Sequence, residues 1–227
     1  MFKQAPGMNR LAIFDCDGTL VDSQANICAA MEACFAGHGL PAPDRAATRR
    51  VVGLSLTEAM RALLPGEPEE RHASLAEDYK SCFQRLRAQG RVEEPLFEGI
   101  AEALDALEAD GWLLGVATGK SDRGLRLALE GHGYHRRFVT LQTADRHPSK
   151  PHPSMIEAAM AEAGASPETT VMIGDTRYDI AMAHAANVRA IGVAWGYHDA
   201  AELFEEGADA VAEHPSELPA LCTKETA

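Results

Sequence analysis

Six short apolar runs rich in Val, Ile and Leu punctuate the chain: LAIF (11–14), WLLGVA (112–117), FVTL (138–141), TVMI (170–173), AIGVAW (190–195) and ADAVA (208–212). Runs of this length with little polar alternation suit strands buried on both faces. Between most of them the apolar positions recur at helical steps instead, as at Ile100, Leu104 and Leu107, at Leu125 and Leu129, and at Ile156 and Met160. Strands alternating with helices predict an α/β fold with a mainly parallel sheet covered by helices on both sides.

One interval breaks this rhythm. From about Asp22 to Glu93 there is no strand pattern, only helical spacing: Ile27, Met31 and Cys34, then Leu56, Met60 and Leu63, then Leu75, Tyr79, Phe83 and Leu86. The stretches GHGLPAP and LPGEPEE separate these segments as turns. The pattern predicts a helical insert of about 70 residues. A unit of that size is marginal alone, so it is expected to pack on the rest of the molecule.

Composition narrows the partners. The 227 residues carry 21 Lys and Arg against 34 Asp and Glu, a net charge of -13, and the only basic clusters are the pairs Arg49-Arg50 and Arg136-Arg137. Such a chain is a poor ligand for nucleic acid. The start, MFKQAPGMNRLAIF, lacks the apolar core of a signal peptide, and no apolar stretch approaches the roughly 20 residues of a membrane span. A cytoplasmic protein is expected. Its five cysteines, odd in number and without paired close spacing, read as reduced core residues, with Cys16 turned away from the aspartates that flank it.

Candidate chemistry gathers where apolar runs end. IFDCDGTL closes the first with Asp15 and Asp17, whose side chains share one side of an extended chain, and Gly18 permits a sharp turn. Two carboxylates so close call for a cation or a proton. Asp17-Gly18 alone is also an ordinary turn dipeptide, but that leaves Asp15 unexplained. TVMIGDTRYD places Asp175 at another strand end and Asp179 four residues on, with Asp175 equally readable as a helix cap. In open α/β sheets ligands bind beyond the carboxyl ends of the strands. Oxygen ligands without a His/Cys cluster favour a hard cation, Mg²⁺ above all, and so a phosphate substrate.

GVATGKSD, at a third strand end, imitates a nucleoside-triphosphate loop but is one residue too short, since Leu114 stands where the first Gly must be. Thr118 and the N–H groups of Gly119 and Lys120 are instead placed to face a single anion at a helix start. PSKPHP brings Lys150 to a fourth such position, outside the helix that follows.

DCDGTL, ATG, SKP and GDTRYD, in that order and spread over almost the whole chain, resemble the four motifs of the haloacid dehalogenase-like superfamily. The helical insert after the first motif resembles the cap of its phosphoglycolate phosphatase and β-phosphoglucomutase branch. The resemblance implies a Rossmann-like catalytic core made of residues 1–21 and 94–227, with a cap at 22–93. It implies Asp15 as nucleophile, Asp17 as general acid and base, and Lys150 as the cation that stabilises nucleophile and phosphoryl group. Thr118 and Gly119 would hold phosphate oxygens. Mg²⁺ would be ligated by Asp15, the backbone carbonyl of Asp17 and Asp175, with Asp179 acting through water or by orientation. The expected substrate is a small phosphorylated metabolite.

Asp17 argues against dehalogenation, because halide leaves without a proton. A phosphomutase uses the same two aspartates, and DGTL favours the phosphatase over it. Receiver domains of signalling proteins also cluster acids around a Thr and a Lys, but carry no such insert. For substrate specificity Arg49 and Arg50 are the candidates in the insert. Lys120 is expected on a solvated helix face, and His147, His152 and His198 on ordinarily exposed loops.

Overall fold

The computed structural model describes residues 9–224. Residues 1–8, at the start of the expected core segment, lie outside the described residues. Six strands form one parallel sheet: β1 (Arg10–Phe14), β2 (Trp112–Thr118), β3 (Phe138–Thr143), β4 (Thr170–Gly174), β5 (Arg189–Val193) and β6 (Ala210–Ala212), in the order β3-β2-β1-β4-β5-β6. Each strand coincides with one of the six apolar runs. The order is that of a Rossmann-like sheet, and it reverses between β1 and β4, the crevice where such folds take ligands.

Side chains alternate across the sheet. Ala12 and Phe14 join Leu114, Val116, Ile173 and Ile191 under α5 (Ile100–Ala109), α6 (Asp122–Gly131) and a short C-terminal helix, Leu218–Thr223. Leu11 and Ile13 face the other way, with Met172 and Ala190, against α7 (Ser154–Ala163) and α8 (Arg177–Ala185). Both clusters are built of buried apolar side chains, so the strands read as continuous apolar runs rather than alternating ones.

The segment between β1 and α5 holds α1 (Gln24–Gly37), α2 (Arg45–Arg50), α3 (Leu56–Leu63) and α4 (Glu69–Ala88). Met31, Cys34, Phe35, Met60, Leu75 and Tyr79 form a third apolar cluster between α1, α3 and α4. The chain leaves and re-enters the sheet unit at adjacent points: Val21 bridges Leu96, and the Asp22 N–H donates to the Pro95 carbonyl at 2.8 Å. Among the described residues α2 and the six-residue helix Ala200–Glu205 are elements that the apolar spacing does not mark, because each is too short to show a full period. All five cysteines are unpaired and buried, and Cys16 packs in the cluster with Phe14.

Candidate active site at the strand ends

Parallel register builds this site. Phe14 lies opposite both Val116 of β2 and Ile173 of β4, so the residues just beyond all three strands emerge on one edge. Asp15 still bonds into the sheet, its N–H donating to the Ile173 carbonyl at 2.9 Å, which brings its side chain beside Asp175. Gly18 turns the chain with φ +88°, and a Cβ there would lie 2.2 Å from an Asp175 oxygen. Only glycine fits so close to the acid.

Asp15, Asp175 and Asp179 each offer a carboxylate oxygen within 4.8 Å of the others, and all three are buried. Lys150 reaches in from the loop before α7, its Nζ 3.1 Å from Asp15 Oδ1 and 2.6 Å from Asp179 Oδ1. One ammonium thus pairs with two of the three clustered carboxylates. Burial, reinforced by Asp179 and Asp17 against the pull of Lys150, pushes the Asp15 carboxyl up to about 7. Burial and the neighbouring Asp15 and Asp179 push Asp175 up as well. Burial opposes the charge on Lys150, yet Asp15 and Asp179 outweigh it and hold the ammonium in its charged form.

The lone pairs are not equally committed. Asp175 accepts from the Thr19 hydroxyl at 2.8 Å and from the Tyr197 N–H at 3.0 Å. Asp179 is the third residue of α8 and closes a capping box with Thr176, accepting at Oδ2 from the Thr176 N–H at 3.0 Å and its hydroxyl at 2.7 Å. Asp15 Oδ1 accepts from the Cys16 N–H at 2.6 Å, whereas Asp15 Oδ2 is buried without a partner. A buried carboxylate oxygen left unpaired, amid an excess of two negative charges, is the environment a hard divalent cation fits. The all-oxygen donor set suits Mg²⁺, Ca²⁺ and Mn²⁺ alike.

Asp17 stands apart from that trio. Its Oδ1 accepts from the Ser23 hydroxyl and from Lys120 Nζ, the latter at 2.6 Å. Lys120 is therefore not a solvated helix residue: it precedes Ser121, the N-cap of α6, and turns inward from the end of β2. Its ammonium also pairs with Glu94 Oε1 at 2.9 Å, and Glu94 Oε2 pairs with Arg87 of α4 at 2.6 Å. Burial opposes the Lys120 charge, but Asp17 and Glu94 raise its pKa well above the usual ammonium value. Burial would raise Glu94 too, but Lys120 and Arg87 draw it below the usual carboxylate range. An ion-paired chain thus runs from Asp17 to the helical insert.

Asp15, Asp17, Thr118 and Gly119 line a cavity of about 380 Å³ between the strand ends and α1–α4. The Thr118 hydroxyl accepts from the Lys120 N–H at 3.2 Å, and a Cβ on Gly119 would meet the Leu54 carbonyl at 2.6 Å, so this glycine allows the insert to close against the sheet. Arg49 and Arg50 do not line the cavity. Arg50 is mostly exposed, pairing with Glu202, while its carbonyl accepts from the Tyr178 hydroxyl at 3.1 Å. Arg49 is half-buried, and the end of α2 aims Arg50 outward, a direction that sequence spacing alone does not fix.

His198 departs from the expected exposure: it is buried, accepts from the Arg177 N–H at 3.4 Å and packs edge-on against Tyr178. Thr19, inside the DCDGTL motif but given no role there, and Ser23, Glu94 and Tyr197, outside every motif, also belong to the site. Thr19 and Ser23 carried one signal, polar residues following the acidic turn in an otherwise apolar environment.

A sequence model of haloacid dehalogenase-like hydrolases matches residues 12–193. The chain is 39% identical over 202 residues to "Probable phosphatase IndB" of Dickeya dadantii, covering 86% of each chain. It is 29% identical over 222 residues to phosphoglycolate phosphatase 1 of Pseudomonas aeruginosa, covering 94% of this chain and 80% of the relative. Its structure superposes on a haloacid dehalogenase-like family hydrolase from Streptococcus pneumoniae with a TM-score of 0.81 and 26% identity, covering 94% of this chain and 98% of the other. With the strand-end acids, Thr118 and Lys150 gathered on one edge of the sheet, these likenesses agree: the chain belongs to the haloacid dehalogenase-like hydrolase family.

Proposed function

We propose that this hydrolase is a Mg²⁺-dependent phosphatase that cleaves a small phosphate monoester through an aspartyl phosphate on Asp15. The observation that carries the reading is the buried Asp15 carboxylate, with one oxygen unpaired, beside Lys150 and on the wall of a cavity that Asp17 also lines. Relatives named as phosphatases support it.

In this reading Asp15 attacks phosphorus, forming an O–P bond as the ester O–P bond breaks. Asp17 gives its proton to the departing alkoxide. It then takes a proton from the water that attacks the aspartyl phosphate, releasing inorganic phosphate and regenerating Asp15. Ser23 and Lys120 hold one oxygen of Asp17, which leaves the other for the transferred proton. Thr118 and Gly119, at the end of β2, receive the phosphoryl oxygens. Lys150 balances charge on both nucleophile and phosphoryl group, and Asp179 positions it at 2.6 Å. Asp15, the Asp17 carbonyl and Asp175 would hold the cation. When bound, it supplies the charge that lets an anionic nucleophile approach an anionic ester.

Residues 22–93 act here as a cap that excludes water from the leaving group. The chain Arg87–Glu94–Lys120–Asp17 ties its position to the general acid. Five unpaired buried cysteines fit a reducing compartment, in keeping with a cytoplasmic enzyme. The direct test is turnover of an aryl phosphate by the purified protein with Mg²⁺, abolished by EDTA and restored by added metal. Metal-independent turnover, or none under any condition, would contradict the assignment. Release of inorganic phosphate rather than an isomeric ester separates it from a mutase.

A further inference from the structure

The cavity has two unlike walls, and the insert wall is largely apolar, with Thr48, Lys80, Gln84 and Arg87 as its polar members. Ile27 and Met31 of α1, Val51, Tyr79 and Phe83 of α4, and Leu127 of α6 face the space above the strand-end acids. Tyr79 and Phe83, one turn apart, form a tilted pair with ring centroids 6.1 Å apart. Tyr79 is only 7% exposed, lines the cavity, and its hydroxyl makes no hydrogen bond within the described residues. With no protein partner, the hydroxyl is open to a ligand in the cavity that Tyr79 lines.

Most cations that line the same space are already matched. Lys80 pairs with Glu77 at 2.8 Å, Arg87 with Glu94 at 2.6 Å, and Lys120 with both Asp17 at 2.6 Å and Glu94 at 2.9 Å. Arg123 is exposed. A second anionic group on the substrate therefore has little unmatched buried charge to meet. A ring does have a matching surface: apolar walls with a few placed polar groups are how proteins hold such bodies.

We infer that the substrate's alcohol carries a ring-sized apolar body with one hydrogen-bonding substituent, seated against Met31 and the Tyr79–Phe83 pair with that substituent on the Tyr79 hydroxyl. The inference rests on the phosphatase reading and names the class of its leaving group. It sets this enzyme apart from one built for a two-carbon acid, whose carboxylate would leave these walls uncovered.

The test compares alkyl phosphates of similar leaving-group chemistry: phosphoglycolate, glucose 6-phosphate, 2-phenylethyl phosphate, and its 3- and 4-hydroxyphenyl counterparts, all with Mg²⁺. A hydroxyphenyl ester should exceed phosphoglycolate and glucose 6-phosphate in kcat/KM by roughly tenfold or more, the scale on which apolar contacts discriminate. Tyr79→Phe, which keeps the ring, should erase about a fivefold advantage of that ester over its unsubstituted parent, as expected for one neutral hydrogen bond. Phe83→Ala should raise KM for both ring esters. If phosphoglycolate or glucose 6-phosphate matches or outruns every ring ester, the inference falls while the phosphatase reading stands. If no ester in the panel, nor the aryl phosphate, is hydrolysed, the phosphatase reading itself fails.

Discussion

At the sheet side of the cavity each of the three clustered acids has a partner from a different strand end, Asp175 in Thr19 and Tyr197, and Asp15 and Asp179 in Lys150. At the insert side the same cavity is walled by Met31, Tyr79 and Phe83, which make contact by shape and leave the Tyr79 hydroxyl uncommitted. The difference teaches how labour is divided. Reaction geometry comes from a register of parallel strands that tolerates little displacement. On the proposed reading, selectivity is left to helices whose apolar surface accepts substitution at modest cost. Lys120 and Glu94 are where the two regimes touch, a buried ion pair joining Asp17 to the re-entry point of the insert.

Breaking the sheet side should have the largest effect. Asp15→Asn removes the nucleophile and is expected to cut kcat by roughly 10³-fold or more for every ester, as loss of a covalent nucleophile does elsewhere. Asp17→Asn should lower kcat by about 10²-fold or more for alkyl esters and much less for aryl esters, whose leaving groups need no proton. A plot of kcat against leaving-group pKa measures this, and equal losses across the series would contradict the acid role.

Disturbing the junction comes next. Lys120→Met leaves Asp17 held by Ser23 alone. We expect about a tenfold fall in kcat, again steeper for poor leaving groups, with Lys120→Arg recovering part of it. A uniform fall with no leaving-group dependence would make Lys120 merely structural.

The strand-end acids were legible in the sequence because each needs a fixed place relative to one strand, and a strand end leaves a sharp trace: an apolar run cut off by Asp or Thr. The six runs gave the sheet for the same reason. Lys120 was misjudged as solvated because a residue one place before an N-cap can point along the helix or back over the strand, and only the packing of α4 and Glu94 decides. Arg49 and Arg50 do not line the cavity for a related reason. Their place in the insert is readable, but where the end of α2 points Arg50 depends on how that helix docks. His198 was likewise hidden, since its burial comes from Tyr178 on another element.

Protonation offers a sharper test of the acidic centre. In the metal-free chain Asp15 is raised to about 7 from an ordinary value of 3.8, so between those values the folded state holds a proton that the unfolded chain has lost. Folding then takes up a proton, and this group's contribution to stability is full below about pH 4 and lost as pH rises through 7. Asp175 is shifted in the same direction. A cation that replaces the proton should reverse the loss, so Mg²⁺ is expected to raise Tm more at pH 8 than at pH 5. An equal rise at both would argue that the metal does not meet these carboxylates.

The smallest effect is expected at the outer rim. Arg50→Ala removes an exposed pair with Glu202 and should change stability by no more than about 1 kcal/mol, with KM nearly unchanged. A large rise in KM would return Arg50 to the substrate.

The most direct measurement is to mix the enzyme with a phosphate ester and Mg²⁺, quench in acid within milliseconds, and map the covalently bound phosphate by mass spectrometry. Phosphate on Asp15, formed and lost at rates that support turnover and absent from Asp15→Asn, is the predicted result. Turnover with no phosphorylated Asp15, or turnover that survives in Asp15→Asn, would contradict it.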